Sequence, residues 1–230
     1  MKYIIKFDDV VVKWFNGSLS TRIFFNSVNS LVGLKKALKK ISQSTGGLSY
    51  PPIVIVPEAR VLWMDDGSSA IVFANLSIKR LNNIIAPVVE FTLPLLLYGN
   101  EKVYTVILSH EFLHYIYIAI KFYSNEYFIN PLISTSTLSG RVFLEEVYQI
   151  DPDAIFKKGS ILNAVKRFDD FIRKSRIGYR IKRNWIDRGL PTKLIHSTEF
   201  RVRLSIEDYS KMYLPDDVLS KVRDLLDEKR

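Results

Sequence analysis

Ile107-Leu108-Ser109-His110-Glu111-Phe112-Leu113-His114-Tyr115-Ile116 is the stretch from which the rest of the chain is read. His110 and His114 are four residues apart, so on a helix their imidazoles share one face, a turn from each other, within reach of one tetrahedral ion. Glu111 stands beside them, where a carboxylate can reach a water next to that ion. Every other residue of the stretch is uncharged, and burying a Glu among apolar side chains is costly unless a cation compensates it. Shuffling a chain with three His and ten Glu produces this pattern on the order of once in a thousand. Spacing and apolar context together favour a metal site over accident.

Outward from the motif, Gly99-Asn100-Glu101 opens a helix. Asn caps exposed amides, Glu101 suits the positive end of the dipole, and neither Gly nor Pro interrupts before about Ser124. Upstream, alternation predicts a strand or hairpin over Lys2 to Phe15. A helix capped by Ser18 or Ser20 then runs to about Ile41, with Ile23, Val28, Leu31, Leu34 and Leu38 facing inward. After a Gly/Ser/Pro-rich loop over 42–52, strands are expected at 53–56, 61–64 and 70–73, the last two joined by a turn at Asp65-Asp66-Gly67. Downstream, a loop spans Asn130-Pro131 and Ser134 to Ser139, and a short helix spans Arg141 to Ile150, before Asp151-Pro152. A Ser160-capped helix buries Ile161, Ala164, Val165, Phe168, Phe171 and Ile172 and ends at Gly178. Trp185 to Ser205 reads as irregular or strand-like, and Pro215-Asp216-Asp217 opens a final helix.

A chain of 230 residues with 47% apolar and 25% charged residues is globular. It is long enough for one catalytic unit of two lobes, 1–124 and 125–230. Cysteine is absent, so any zinc must be held by His, Asp or Glu. Charges at Lys2, Lys6, Asp8 and Asp9 come too early for a secretory signal, and a cytoplasmic location is expected. Two apolar stretches invite a membrane reading. Ile84 to Leu97 contains Pro87, Glu90 and Pro94 and is too short to span; Val103 to Tyr123 carries two His and a Glu mid-span. Membrane association is therefore not expected. Charge is uneven: residues 1–155 hold 14 Lys/Arg against 13 Asp/Glu, and residues 156–230 hold 19 against 11.

His110-Glu111-Phe112-Leu113-His114, with its uncharged flanks, resembles the active-site motif of the zincin metallopeptidases. The resemblance implies an α+β fold: a small mixed twisted sheet backed by a helix, the motif-bearing helix, and a mainly helical carboxyl-terminal lobe. It also implies zinc-dependent hydrolysis of a peptide or protein substrate, with Glu111 as general base. No third His follows at the short metzincin spacing. Phe143-Leu144-Glu145-Glu146-Val147-Tyr148 is instead similar to the gluzincin ligand helix, where thermolysin-like enzymes carry Asn-Glu-Ala and aminopeptidase N-like enzymes Trp-Leu-Asn-Glu-Gly. By that match Glu146 is the third ligand and Glu145 replaces the Asn; Glu145 itself and His196 stay open as ligands. One departure stands out. Thermolysin-like helices often place an Asp four residues after the ligand, but that position is Ile150 here, and Asp151 comes one residue late. The resemblance further assigns His196 to oxyanion stabilisation, with Tyr148 and Tyr179 as weaker candidates. It makes Ala70 to Ile78 the edge strand on which a substrate adds. The Gly-x-Met-Glu-Asn exopeptidase motif is missing, so amine-terminal trimming is not implied.

Lys166 to Arg183 holds eight basic residues and two acids, with Tyr179 and Trp185 nearby. Such a surface attracts phosphates. It supports an alternative reading, a nucleic-acid-associated protein with a structural zinc or with proteolysis directed to bound partners. The charges are split between a helix and the segment after it, and no nucleic-acid motif is present, so a solvated face is the favoured reading.

Overall fold

The computed structural model describes residues 4–64, 67–81, 84–124, 150–196 and 211–227, the side chain of His196 excepted. Asp65 and Asp66 of the expected turn, Glu145, Glu146, Tyr148 and the expected loop and helix over 130–149 lie outside the described residues.

In chain order come β1 (Ile5–Lys6), α1 (Asp8–Phe15), α2 (Thr21–Ser44), β2 (Ile53–Val56), β3 (Ala59–Trp63), β4 (Ser69–Val72), β5 (Ala74–Leu81) and β6 (Ile84–Thr92). Then follow α3 (Leu93–Tyr98), α4 (Glu101–Tyr123), α5 (Pro152–Ile155), α6 (Ser160–Lys166), α7 (Phe168–Ser175), α8 (Ile177–Asn184), a 3-10 turn (Ile186–Arg188), β7 (Thr192–His196) and α9 (Asp216–Asp227). The class is α+β, with two small sheets. One has the order β1-β2-β6-β5, parallel except for the antiparallel edge strand β5; the other has the order β4-β3-β7.

Helix α2 is fixed at its start by Ser20, whose hydroxyl accepts the Ile23 N–H. It buries Leu34, Ala37, Leu38 and Ile41 against α4 and α3, in one core with Ile53, Ile55, Leu76, Val89 and Phe91 from one face of the larger sheet. Helix α4 is apolar all round, as a central helix must be. By length and composition it could cross a membrane, yet 89% of its apolar window is buried inside the protein.

The opposite face of the larger sheet carries Val54, Glu90 and Asn75 in one row across three strands. Arg60 reaches over from β3, donating to Glu90 Oε2 at 2.6 Å and to Asn75 Oδ1 at 2.9 Å, and Lys79 lies 2.5 Å from Glu90 Oε1. Burial alone would raise the Glu90 pKa. The hydrogen bonds and charges of Arg60 and Lys79 outweigh it and bring the pKa down to about 2. A pKa lower in the folded than in the unfolded chain stabilises fully above the unfolded value near 4.5, and the gain is lost as pH falls towards 2. Glu90 should therefore account for about 3 kcal/mol of acid-induced loss. Urea unfolding across that range should show it, and Glu90→Gln should flatten it. A Glu90→Gln chain that keeps the full acid dependence would reject the assignment.

Four local expectations are corrected. The strand or hairpin over 2–15 is a two-residue strand followed by α1, because Val10 packs into the core and Asp8 and Asp9 suit a helix start. Val28 faces outward, at 39% exposure. The helix expected from Ser160 to Gly178 is three short helices. Arg176, in the left-handed region at φ 54°, breaks the chain between α7 and α8, so Gly178 sits inside α8. The expected edge strand over 70–78 is also divided. The Phe73 carbonyl accepts from both the N–H and Oγ1 of Thr92, at 3.1 and 3.0 Å, and the chain passes there from one sheet to the other. The carboxyl-terminal part is not helix alone: β7 pairs in parallel with β3, and α9 packs on α4.

Candidate metal centre

Asn100 sets the phase of α4. Its side chain accepts the Val103 N–H at 3.0 Å, and Glu101 in the first turn pairs with Lys40 of α2 at 2.5 Å. Uninterrupted helix from that cap brings His110 and His114 onto one face with their Nε2 atoms 3.2 Å apart and their rings nearly perpendicular. Two imidazole nitrogens each 2.0–2.1 Å from a shared tetrahedral ion stand roughly 3.3 Å apart. The observed separation is thus that of two ligands of one zinc. It also suits a hydrogen bond between two neutral rings.

Both rings are held neutral, the form that ligates metals. Burial drives His110 down to about 4, partly opposed by Asp169. Burial and the neighbouring His110 drive His114 well below its ordinary value. Phe168 of α7 lies flat on the His110 ring, with centroids 4.0 Å apart and planes within 15°.

Glu111 points to the other structural partner of the helix, strand β5. Burial pushes its carboxyl up to about 8, and a hydrogen bond from the Leu76 N–H pulls the other way. Strand register explains that bond. Val89 of β6 donates to Pro52 O and Ile85 to Lys211 O, so odd-numbered β6 residues direct their backbone groups away from β5. Leu76 stands opposite Val89, and its own N–H consequently faces away from β6. Pro87, opposite Ile78, falls at a position of the same kind, where β5 asks nothing of its nitrogen. Among the described residues no strand pairs with this outer edge of β5. Tyr50 lines the same region: it stacks on Phe112 and donates to Leu108 O at 2.8 Å. Its phenol pKa is pushed up by burial and by the charge of Glu111.

The structure thus brings His110 and His114 together, while Glu111, their neighbour in sequence on α4, is directed to β5. No group of three metal-capable side chains occurs among the described residues, and Glu145 and Glu146 lie outside them. The backbone of His196 ends β7 opposite Trp63, in the sheet that does not contain β5. Asp151 has another task, capping α5 by accepting the Asp153 N–H at 3.0 Å, and Ile150 is buried. Tyr179 is 62% exposed on α8. Two contributors escaped the sequence reading. Phe168 was legible as a buried helix residue but not as the lid of His110, and the Leu76 N–H is visible only through strand register. Comparison of the chain with models of known protein families, with curated proteins and with solved structures finds no match to any of them.

Proposed function

We propose that the chain is a zinc-dependent endopeptidase of gluzincin-like, zincin-type architecture. The observation that carries this reading is the 3.2 Å spacing of the His110 and His114 imidazole nitrogens on the helix that also carries Glu111. His110 and His114 hold the ion, with Glu146 as third ligand and Glu145 or His196 as the alternatives. A zinc ion bound there supplies Lewis acidity to the scissile carbonyl and to a water, and its charge returns the Glu111 carboxyl to its ionised form.

Glu111 then takes a proton from the water that attacks the peptide and delivers it to the leaving amine. The outer edge of β5 offers the Ala74 and Ile78 backbone groups and the Leu76 carbonyl to an extended peptide, which would add as a further strand. His196 is the proposed donor to the oxyanion. A cytoplasmic location and a peptide or protein substrate complete the reading. The mixed sheet with an antiparallel edge strand beside the motif helix supports it.

Metal content by elemental analysis tests the ligand set. After reconstitution and dialysis the wild-type chain should retain about one zinc, and His114→Ala and Glu146→Ala should each release it. A wild-type chain that takes up no zinc would reject the function. Zinc lost with His114 but kept without Glu146 would move the third ligand to Glu145 or His196.

A further inference from the structure

Residues 1–44 hold eight Lys/Arg and two Asp/Glu, and the helices built from them leave apolar side chains facing outward. Phe15 is 77% exposed, Val12 and Val32 59% each, and Phe25 56%. These groups form one surface. Phe25, Val28 and Val32 follow one another at helical spacing along the outer side of α2, and Val12 precedes Phe15 by one turn of α1. Trp14 joins the two rows: its ring lies 4.9 Å from Phe15 and 6.5 Å from Phe25, stacks on Phe24 at 4.3 Å, and ties α1 to α2 through Nε1 and Thr21 Oγ1. The exposed apolar area is on the order of 500 Å², at the upper end of what a single chain leaves uncovered without use for it.

Basic residues surround this surface. Lys13 and Arg22 flank the aromatic end, and the outer row of α2 continues from Val32 into Lys35, Lys36 and Lys39. Asp8 and Asp9 stand at the far end of α1. A two-fold contact between copies would set these cations against one another, whereas lipid phosphates would neutralise them. Aromatic rings at the boundary with basic side chains around them match the requirements of a bilayer surface.

We propose that the α1–α2 face docks on an anionic lipid bilayer, with Phe15, Phe25 and Val32 entering the headgroup boundary and Lys13, Arg22, Lys35 and Lys39 lying among the phosphates. The chain lies on such a surface without crossing it, since α4 remains inside the fold.

Co-sedimentation of the full chain with vesicles tests this, comparing phosphatidylcholine alone with phosphatidylcholine containing phosphatidylglycerol. Binding is expected only to the anionic vesicles and should weaken in high salt. Phe15→Ser with Phe25→Ser should weaken it by about 10-fold or more. Lys35→Glu with Lys39→Glu should also weaken it, and Arg176→Glu, just before α8, with Arg183→Glu on α8 should leave it unchanged. Circular dichroism of each variant establishes that the fold is kept, which the exposure of all six residues makes the expected result. The proposal is overturned by no binding to anionic vesicles, by binding unaltered in the Phe pair, or by binding lost only in the Arg pair. A dimer in sedimentation velocity that the Phe pair dissolves, without vesicle binding, would assign the surface to a second copy and overturn it equally.

Discussion

If the proposed peptidase reading holds, a Glu111→Gln chain is expected to keep its zinc and its fold while hydrolysing peptides about 10³-fold more slowly than the wild type. The amide has the shape of the carboxyl and fits the same buried place between α4 and β5, but it cannot accept the proton of an attacking water. It leaves His110 and His114 untouched, so metal binding and catalysis are separated in one variant. Cleavage of casein or a quenched fluorescent peptide, with elemental analysis of the same sample, is the measurement. Activity within a few-fold of wild type, with zinc present, would remove Glu111 from the role of base. A factor of 10³ corresponds to about 4 kcal/mol of transition-state free energy, well above any effect of a small shift in the helix.

Gly99→Ala should produce the largest loss of stability from a single added methyl group, about 3 kcal/mol or more. Gly99 joins α3 to α4, and a Cβ there would meet the Leu95 carbonyl oxygen at 2.7 Å and run into the Tyr104 ring. That ring cannot swing aside. It is buried, its hydroxyl donates to Leu96 O at 2.6 Å, and its far edge stands 3.3 Å from where a Cβ on Gly33 would be. Gly33→Ala is the informative contrast. Its closer packing is offset by roughly 1 kcal/mol of improved helix propensity, so its net effect should be small. Urea unfolding of the two variants measures both, and a Gly99→Ala chain within about 1 kcal/mol of wild type would show that Tyr104 has room to move.

What the sequence made legible was local. The Asn100 cap, the four-residue His spacing and the apolar run around them specify α4 and the face that its two His share without help from the rest of the chain, and the folded helix begins and ends where they indicate. Strand β6 was hidden because a strand buried on both faces lacks polar alternation, and Pro87 argues against a central strand until register shows which way its nitrogen faces. Val10, Val11 and Val12 favour a strand on propensity, and packing of Val10 overrides it. The contacts of Phe168 with His110 and of Leu76 with Glu111 join residues far apart in sequence, which no local pattern encodes. The choice between Glu145 and Glu146 is of another kind. Neighbouring helical residues differ in direction by about 100°, and nothing in their immediate sequence says which direction would face the proposed ion.

The parallel pairing of β3 with β7 bears on the order in which the chain folds. Ala59 meets Thr192 and Trp63 meets His196, so this pairing waits for more than 130 further residues to leave the ribosome after β3. The β3–β4 pairing is local and closes early, leaving the other edge of β3 open until β7 has been made. Closure of so long a loop is slow relative to hairpin formation. The second sheet is therefore the late step of folding, and the interval before β7 arrives is when a growing chain is most open to edge-to-edge association with its neighbours.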